Sequence, residues 1–190
     1  MNDLNKDPKV LINKNNIQIV KQENEYLVHF YLENNQLLLN KIINLSFIKI
    51  ITSLNADFID NVVFLDSTEN TATVFISLKH FYCDLGFPQF YSHIKINLSR
   101  EENEDLCFSV ETIEESPPPE ILPKHENIEL LNVSNAQIRC HFETPHKCQI
   151  DQKIVVDKEK YVIPEFIERS LTVILYKMFM NVKEFIESNQ

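Results

Sequence analysis

The feature that most constrains this chain is a long amphipathic segment near its C-terminus, residues 162–188. Its apolar residues recur three or four positions apart, which places them on one face of a helix. That face comprises Ile163, Ile167, Leu171, Ile174, Met178, Val182 and Phe185. Pro164 suits the first turn of a helix, where no N–H donor is needed. At about 1.5 Å per residue the helix would be about 40 Å long, so it needs a broad partner surface such as an antiparallel sheet.

The middle of the chain predicts that sheet. Six successive segments have the pattern of strands, and most are separated by short polar turns. They are residues 62–66, 72–82, 90–98, 106–113, 128–142 and 149–156. In the second segment, Val74, Ile76 and Leu78 alternate with the residues of the opposite face. Strands joined by such turns are antiparallel, with one face for the core and one for solvent.

The N-terminal third adds further strands and a second helix. Two strand-like runs lie at residues 10–20 and 25–32, and the second has apolar residues on both faces, as in a central or covered strand. Residues 37–54 have polar positions at helical spacing, so we expect one helix there. Asn34 or Asn35 is suited to cap its start.

The amino-acid composition restricts the class of protein to which this chain can belong. The chain has 190 residues, 44% of them hydrophobic, which is enough for one core. We expect a flexible N-terminus at residues 1–9 and a single domain at residues 10–190. The net charge of -10 and the pI near 5.1 weigh against a nucleic-acid partner. The apolar runs fall short of the roughly 20 residues of a membrane span, and the N-terminus lacks a secretory signal.

We therefore expect an acidic, soluble, intracellular protein. The residue bias adds a hint about its source, because Asn, Ile, Lys and Phe are abundant while the chain has only one Gly. An AT-rich genome produces such a bias through codon usage. It indicates an organelle such as a plastid, a reduced nucleus, a large DNA virus or an AT-rich parasite.

The tightest cluster of soft metal ligands is formed by Cys140, His141, His146 and Cys148. Zinc needs four ligands around one point, whereas the neighbouring Cys140 and His141 project from opposite faces of a strand. A site of Cys140, His146 and Cys148 with His125 stays an alternative, but the geometry favours no metal. No Gly-rich loop and no supported pair of base and nucleophile is present, so the sequence predicts neither a cofactor nor catalytic residues.

Three loops have recognisable chemistry. Gly86 precedes Phe87 and Pro88, and we expect a tight turn there that needs a positive φ. The proline run at residues 116–119 predicts a rigid exposed loop; a polyproline ligand and a domain boundary are its alternatives. The acidic residues 101–105 predict a solvated hairpin tip, because their charges repel one another.

The order of these elements resembles the START-like or helix-grip superfamily, and the resemblance covers nearly the whole chain. Two short features, Pro88 after Phe87 and Pro164 at the start of the last helix, resemble an uncharacterised cyanobacterial and plastid branch of it. The resemblance implies an α+β fold. In that fold a bent antiparallel β-sheet of six to seven strands wraps around the long C-terminal α-helix.

Members of this superfamily typically hold a hydrophobic ligand between the sheet and the last helix. The resemblance therefore implies non-enzymatic binding of a hydrophobic small molecule or lipid, in the kind of apolar pocket that usually forms a ligand site. The candidate lining residues are Phe75, Phe81, Tyr91, Phe108, Phe142, Phe166, Ser170, Val173, Met178 and Phe179. The alternative is that these residues form an ordinary filled core.

A filled core would suit a different function, that of an accessory or assembly subunit of a larger protein complex. Exposed aromatic side chains would then form an interaction patch. The candidates are Tyr26, Tyr31, Phe87, Phe90 and Tyr91. An enzyme is the third alternative, for which no set of residues meets the requirements of an active site.

Overall fold

A computed structural model of the chain describes residues 8–101, 104–124, 127–131, 133–156 and 164–188. Within these residues the chain forms ten strands and three α-helices. In chain order they are β1 (Lys9–Lys14), β2 (Ile17–Gln22), β3 (Glu25–Glu33), α1 (Leu39–Ile42), α2 (Phe47–Leu54), β4 (Ile59–Ser67), β5 (Thr71–Leu78), β6 (Gln89–Arg100), β7 (Leu106–Thr112), β8 (Ile128–Leu130), β9 (Val133–Thr144), β10 (Lys147–Val156) and α3 (Glu165–Glu187). Short 3-10 helices cover Cys83–Leu85 and Pro119–Ile121.

All ten strands belong to one sheet in the order β1-β2-β3-β10-β9-β7-β6-β5-β4, with β8 beside β6. Neighbouring strands are antiparallel except β6 and β8, which are parallel. The large antiparallel sheet and the C-terminal helix confirm the predicted α+β class. The sheet has more than the six to seven strands predicted, because the N-terminal run forms a hairpin and the run at 128–142 divides into β8 and β9.

The N-terminal hairpin turns at Asn15 and Asn16, which have φ values of 53° and 59°. Asparagine tolerates a positive φ, and two such residues in succession make the tight turn that matches the twist of a β-hairpin. The prediction of one strand over residues 10–20 was therefore wrong. The first strand, β1, already begins at Lys9, within the segment for which we expect a flexible N-terminus.

The predicted central strand is confirmed, because β3 lies between β2 and β10. We define the inner face of the sheet as the face that carries Val28, Phe30 and Leu32, which are at most 3% exposed. These side chains share one core cluster with Val74 and Ile96 from the other half of the sheet. Because β10 pairs with β3, this core is continuous across both halves of the sheet.

The helix predicted at residues 37–54 is divided in two by Asn44. Its Oδ1 accepts the Ser46 N–H at 2.8 Å, and its Nδ2 donates to the Lys41 carbonyl at 3.2 Å. Asparagine side chains compete with the helical backbone in this way and favour turns. The prediction of a single helix was wrong for that reason, and α1 and α2 cover the inner face as two short pieces.

The C-terminal helix α3 has 23 residues, a length of about 35 Å, and packs against β1, β2, β3 and α2. Pro164 is the residue that precedes its first turn, and residues 162 and 163 of the predicted helix lie outside the described part. Glu168 and Thr172, which the helical pattern places on the polar side, are largely buried, whereas Phe185 is 38% exposed. The pattern fails here because α3 packs on two surfaces, so its covered face is broader than one apolar stripe.

The proline-rich segment lies against the outer face of the sheet, which is the face opposite the core cluster. The Ile113 N–H donates to the His93 carbonyl at 2.7 Å, and His93 Nδ1 donates to the Glu115 carbonyl at 2.9 Å. Pro117 is buried. The prediction of an exposed loop is therefore wrong at Pro117, because this segment covers part of the sheet.

Gly86 has a φ of +77°, which confirms the predicted conformation, and a Cβ atom at this position would have no neighbour within 4 Å. A substitution should therefore act through the backbone alone. We expect Gly86→Val to lower the free energy of unfolding by about 1–2 kcal/mol, because the left-handed region is costly for a β-branched residue. Gly86→Asn is the control and should lose less, since asparagine tolerates that region. Equal urea midpoints for wild type and Gly86→Val would contradict this account.

Candidate ligand-binding site

Two apolar rows of side chains cross the inner face of the sheet, as the strand register shows. The first row comprises Ala72, Ile96, Val110, Ala136, Ile154 and Tyr26. The second comprises Leu98, Phe108, Ile138, Gln152, Val28 and Ile19. Both rows end on the strands that α3 covers, so they lead from the far side of the sheet to the helix.

The helices cover these rows unevenly. Leu39 of α1 and Phe47 of α2 are buried in the core cluster, as is Ile186 near the end of α3. In contrast, Val110 and Ile138 near the middle of the rows are only partly buried. Within the described part of the chain, the inner face therefore retains apolar surface that side chains only partly cover.

The C-terminal half of α3 is firmly anchored. Asn34, which is fully buried, donates from Nδ2 to the Ile186 carbonyl at 2.6 Å. Asn181 donates to Oδ1 of Asn55 at 3.0 Å and so joins α3 to the end of α2. These are hydrogen bonds between neutral groups, and they do not depend on pH in the physiological range.

The N-terminal half of α3 is held differently, by a charged cluster of three side chains. Glu168 accepts hydrogen bonds from Lys21 Nζ and Tyr26 Oη, and the Glu168 side chain is 17% exposed. Burial alone would raise the pKa of Glu168, but the two hydrogen bonds outweigh it and lower that pKa below its ordinary value. Burial and the bond to Glu168 together raise the pKa of Tyr26. The cluster thus holds an ionised Glu168 between β2, β3 and α3.

Loss of this cluster should be visible as a pH-dependent change in stability. Because the pKa of Glu168 is lower in the folded state, its contribution is present above the unfolded-state pKa and is lost as pH falls through the folded-state pKa. We expect Glu168→Gln to cost about 1.5 kcal/mol at neutral pH. The gap to wild type should close in urea unfolding below the folded-state pKa. A gap that is the same at both pH values would contradict an ionic role, and Glu184→Gln at an exposed position of α3 is the control.

The structure places three of the predicted lining residues towards the core. Phe108 is 6% exposed on the inner face of β7, and Phe142 packs against the same cluster from β9. Phe179 of α3 contacts Phe30 with ring centroids 5.1 Å apart. These three aromatic side chains therefore lie in or against one core cluster, Phe108 and Phe142 from the sheet and Phe179 from α3.

Other predicted lining residues lie elsewhere. Phe75 and Tyr91 stack at 5.6 Å on the outer face, because alternation along β5 and β6 turns them away from the inner face. Phe166 and Val173 are 54% and 46% exposed on α3. The remaining three are partly buried, and they are Phe81, Ser170 and Met178. The predicted set is therefore not brought together around one point.

Sequence reasoning missed the polar residues that position α3, namely Asn34, Lys21, Tyr26 and Glu168. The signal available was weak. Asn34 was considered only as a helix cap, whereas its Oδ1 accepts the N–H groups of the turn before α1 while its Nδ2 reaches α3. Contacts between residues more than a hundred positions apart leave no local pattern in the sequence.

The cluster of Cys and His residues is spread over both faces of the β9–β10 hairpin. Cys140 and Cys148 are buried in the core, where the bond to Cys140 and then burial raise the pKa of the Cys148 thiol. His141 pairs with Asp105 at 2.7 Å on the outer face, which confirms that Cys140 and His141 point in opposite directions. His146 Nδ1 donates to a backbone carbonyl. The alternative ligand at position 125 lies outside the described residues.

Comparison with known proteins identifies solved structures with a similar architecture. No protein-family model and no curated protein sequence matches the chain. Among solved structures it is similar to human StAR-related lipid transfer protein 5, with a TM-score of 0.70 and 11% identity, covering 97% of this chain and 88% of that one. It is also similar to the human StarD13 (DLC2) lipid transfer and protein localization domain, with a TM-score of 0.70 and 7% identity, covering 95% and 89%.

A third similar structure is human STARD10, with a TM-score of 0.63 and 10% identity, covering 94% of this chain and 74% of that one. Among the described residues, no helix has the length and apolar character that crossing a bilayer requires. The large antiparallel sheet with its C-terminal helix is the architecture that these similarities support. The chain thus has the START-like, helix-grip fold.

Proposed function

We propose that the chain is a single-domain, non-enzymatic protein that binds a hydrophobic small molecule or lipid between the inner face of its sheet and α3. The observation that carries the proposal is the partly uncovered apolar surface around Val110 and Ile138, in rows that lead across the inner face to the strands that α3 covers. Burial of apolar surface contributes roughly 25 cal/mol per Å², so an apolar ligand that completes this cover would be held there. The shared fold with lipid transfer domains supports the same site.

The anchoring of α3 suggests how a ligand would enter. Its C-terminal half is fixed by the buried Asn34 and by the Asn55–Asn181 contact, whereas its N-terminal half depends on Glu168 and its two partners. Separation of the N-terminal half from β2 and β3 would break the Glu168 cluster and expose the buried Ile167, while the rest of the helix stays in place. Single polar residues on this side of the inner face, such as Gln152, would suit the polar end of a lipid.

The substitution Val110→Phe tests the proposal against a filled core. If the space near Val110 receives a ligand, phenylalanine should occupy it with little loss of stability and should weaken binding of a fluorescent fatty acid at least tenfold. If the core is already filled, the larger side chain should cost about 1–3 kcal/mol through overpacking. Leu106→Phe is the matched control on the same face of β7. Leu106 is 1% exposed, so its replacement should be destabilising in either case.

The second candidate function is that of an accessory or assembly subunit of a protein complex. The exposed Phe166 and Val173 on α3 favour it, because they leave apolar surface accessible to a partner. The aromatic patch expected from the sequence does not support it, since Tyr26 and Tyr31 lie on opposite faces of β3. A Phe166→Ser variant that loses a co-purifying partner while it retains lipid binding would favour this second function.

The proposal includes an organellar location, specifically a plastid, which rests on the residue bias and on the weak likeness to a plastid branch. Microscopy of the tagged protein in its own cell tests that part directly. A signal outside the organelle would remove the location from the proposal and leave the binding site unaffected.

A further inference from the structure

We propose that the chain has a second binding site, on the outer side of the sheet, for an uncharged polyhydroxyl ligand such as a saccharide. A recess of about 560 Å³ opens between the β1–β2 hairpin, the outer face of β3 and the last turns of α3. This volume lies within the range of small-molecule sites, about 300–1,000 Å³. The residues that line it are of polar types, with Asn13, Asn16 and Gln18 on one side and His29 and Tyr31 on the other.

The side chains along one wall are held in place by a chain of hydrogen bonds. Tyr31 Oη donates to Gln149 Oε1 at 2.9 Å, and Gln149 Nε2 donates to Asp151 Oδ2 at 2.6 Å. The other carboxylate oxygen of Asp151 lies 2.7 Å from His29 Nδ1. The His29 ring contacts the Tyr31 ring edge-on, with centroids 5.2 Å apart, so the four side chains form a closed ring of contacts. Such support fixes the side-chain rotamers before a ligand arrives and lowers the entropy lost on binding.

This arrangement defines the chemistry that His29 offers. With Nδ1–H directed at Asp151, the neutral ring keeps Nε2 as an acceptor. Within the described part of the chain, Nε2 has no hydrogen-bond partner. The amide groups of Asn13, Asn16 and Gln18 can each donate and accept. A hydroxyl group also donates and accepts, so an array of these groups matches a ligand that carries several hydroxyl groups.

The charges in the recess favour an uncharged ligand. Lys147 and Lys183 are balanced by Glu33 and Glu187, so the formal charge of the lining is zero when His29 is neutral. Lys147 also pairs with Glu143 at 2.7 Å. A phosphate or an ammonium ligand would therefore gain little net Coulomb energy, and an apolar ligand would leave many polar groups unpaired.

The recess is separate from the proposed apolar site. His29 and Tyr31 alternate along β3 with Val28, Phe30 and Leu32, so the two sites use opposite faces of the same strand. A ligand in the recess touches none of the inner-face rows. The two proposals can therefore fail independently.

Nuclear magnetic resonance of the intact chain tests the polar site, with methyl glucoside, methyl galactoside and myo-inositol as probes. We expect at least one probe to shift the His29 and Tyr31 ring signals saturably. Inorganic phosphate and choline should not. The variant His29→Phe should weaken binding about tenfold, while His141→Phe, which removes the other outer-face histidine paired with an aspartate, should bind as wild type does.

Three outcomes would overturn the proposal: neither a saturable shift with any polyol nor binding to vesicles that contain the galactosyl lipid, saturation by phosphate instead, or equal affinity in His29→Phe and wild type. Circular dichroism of both variants checks that they fold. Vesicles of phosphatidylcholine with and without a galactosyl lipid distinguish the source of the ligand. Binding only to the galactosyl vesicles that is lost in His29→Phe would support the site and identify a lipid headgroup, whereas binding of the free glycoside would identify a soluble saccharide.

Discussion

Replacement of Phe75 by alanine is expected to lower the free energy of unfolding by about 3–5 kcal/mol, the usual cost of removing a fully buried phenylalanine. Phe75 is 0% exposed and stacks on Tyr91 at 5.6 Å, on the outer face of the sheet. Because this face is opposite the proposed apolar site, the folded fraction of Phe75→Ala should bind a fluorescent fatty acid with unchanged affinity. Urea unfolding and a binding titration at low temperature provide the two readouts.

The matched control is Phe166→Ala. Phe166 is 54% exposed on α3, so its loss should change stability by less than about 0.5 kcal/mol. If Phe75→Ala were as stable as Phe166→Ala, the outer-face packing described above would be wrong. If Phe75→Ala folded normally but lost ligand, Phe75 would line the pocket after all, as its place in the predicted lining set implies.

Replacement of Asn34 by alanine should have the second large effect, a loss of about 3 kcal/mol. The Asn34 side chain is completely buried, and it bonds the Ile186 carbonyl together with the backbone N–H groups of Gln36 and Leu37. Each buried group left without a partner costs about 1–3 kcal/mol. Hydrogen exchange should also rise in the last turns of α3, since these lose their anchor to the loop after β3.

Asn44→Ala provides the comparison, because Asn44 makes similar turn contacts at the surface. We expect it to lose less than about 1 kcal/mol, since water can replace an exposed hydrogen-bond partner. Equal losses in Asn34→Ala and Asn44→Ala would show that the bond from Asn34 to α3 contributes nothing to stability. That result would remove the basis for treating the C-terminal half of α3 as the fixed half.

Much of the fold can be predicted from local patterns. The period of apolar residues predicts α3, and the alternation in Val74, Ile76 and Leu78 predicts β5 and its inner face. The predicted turn at Gly86 is also observed, with a φ of +77°. These features depend on residues close together in sequence. For such residues the period of apolar positions predicts the type of element and its buried face.

The features that could not be predicted depend on distant parts of the chain. Nothing near β3 indicates that it pairs with β10, although this pairing joins the two halves of the sheet. The burial of Phe75 on the outer face depends on residues outside its own strand, such as Tyr91 on β6, whose ring stacks on it. The wrong predictions around Asn15 and Asn44 have a local cause. Asparagine favours turns, but the strand pattern around Asn15 and the helical pattern around Asn44 obscured that preference.

In the candidate site, too, some features could be predicted from the sequence, whereas others depend on residues far apart in it. The family resemblance implies Phe108 and Phe179 as lining residues, and both lie in or against the core cluster. The polar cluster of Lys21, Tyr26 and Glu168 could not be predicted, because it joins residues that are at least 142 positions apart. The proposed route of ligand entry depends on that cluster, which exists only because the fold brings α3 against β2 and β3.

Native mass spectrometry of the protein purified from its own cells tests the central proposal most directly. We expect a discrete added mass at one ligand per chain that disappears after solvent extraction and that is absent from Val110→Phe. A clean mass of the bare chain, with Val110→Phe destabilised as strongly as Leu106→Phe, would contradict it. The core would then be filled, and the function of an assembly subunit would take its place.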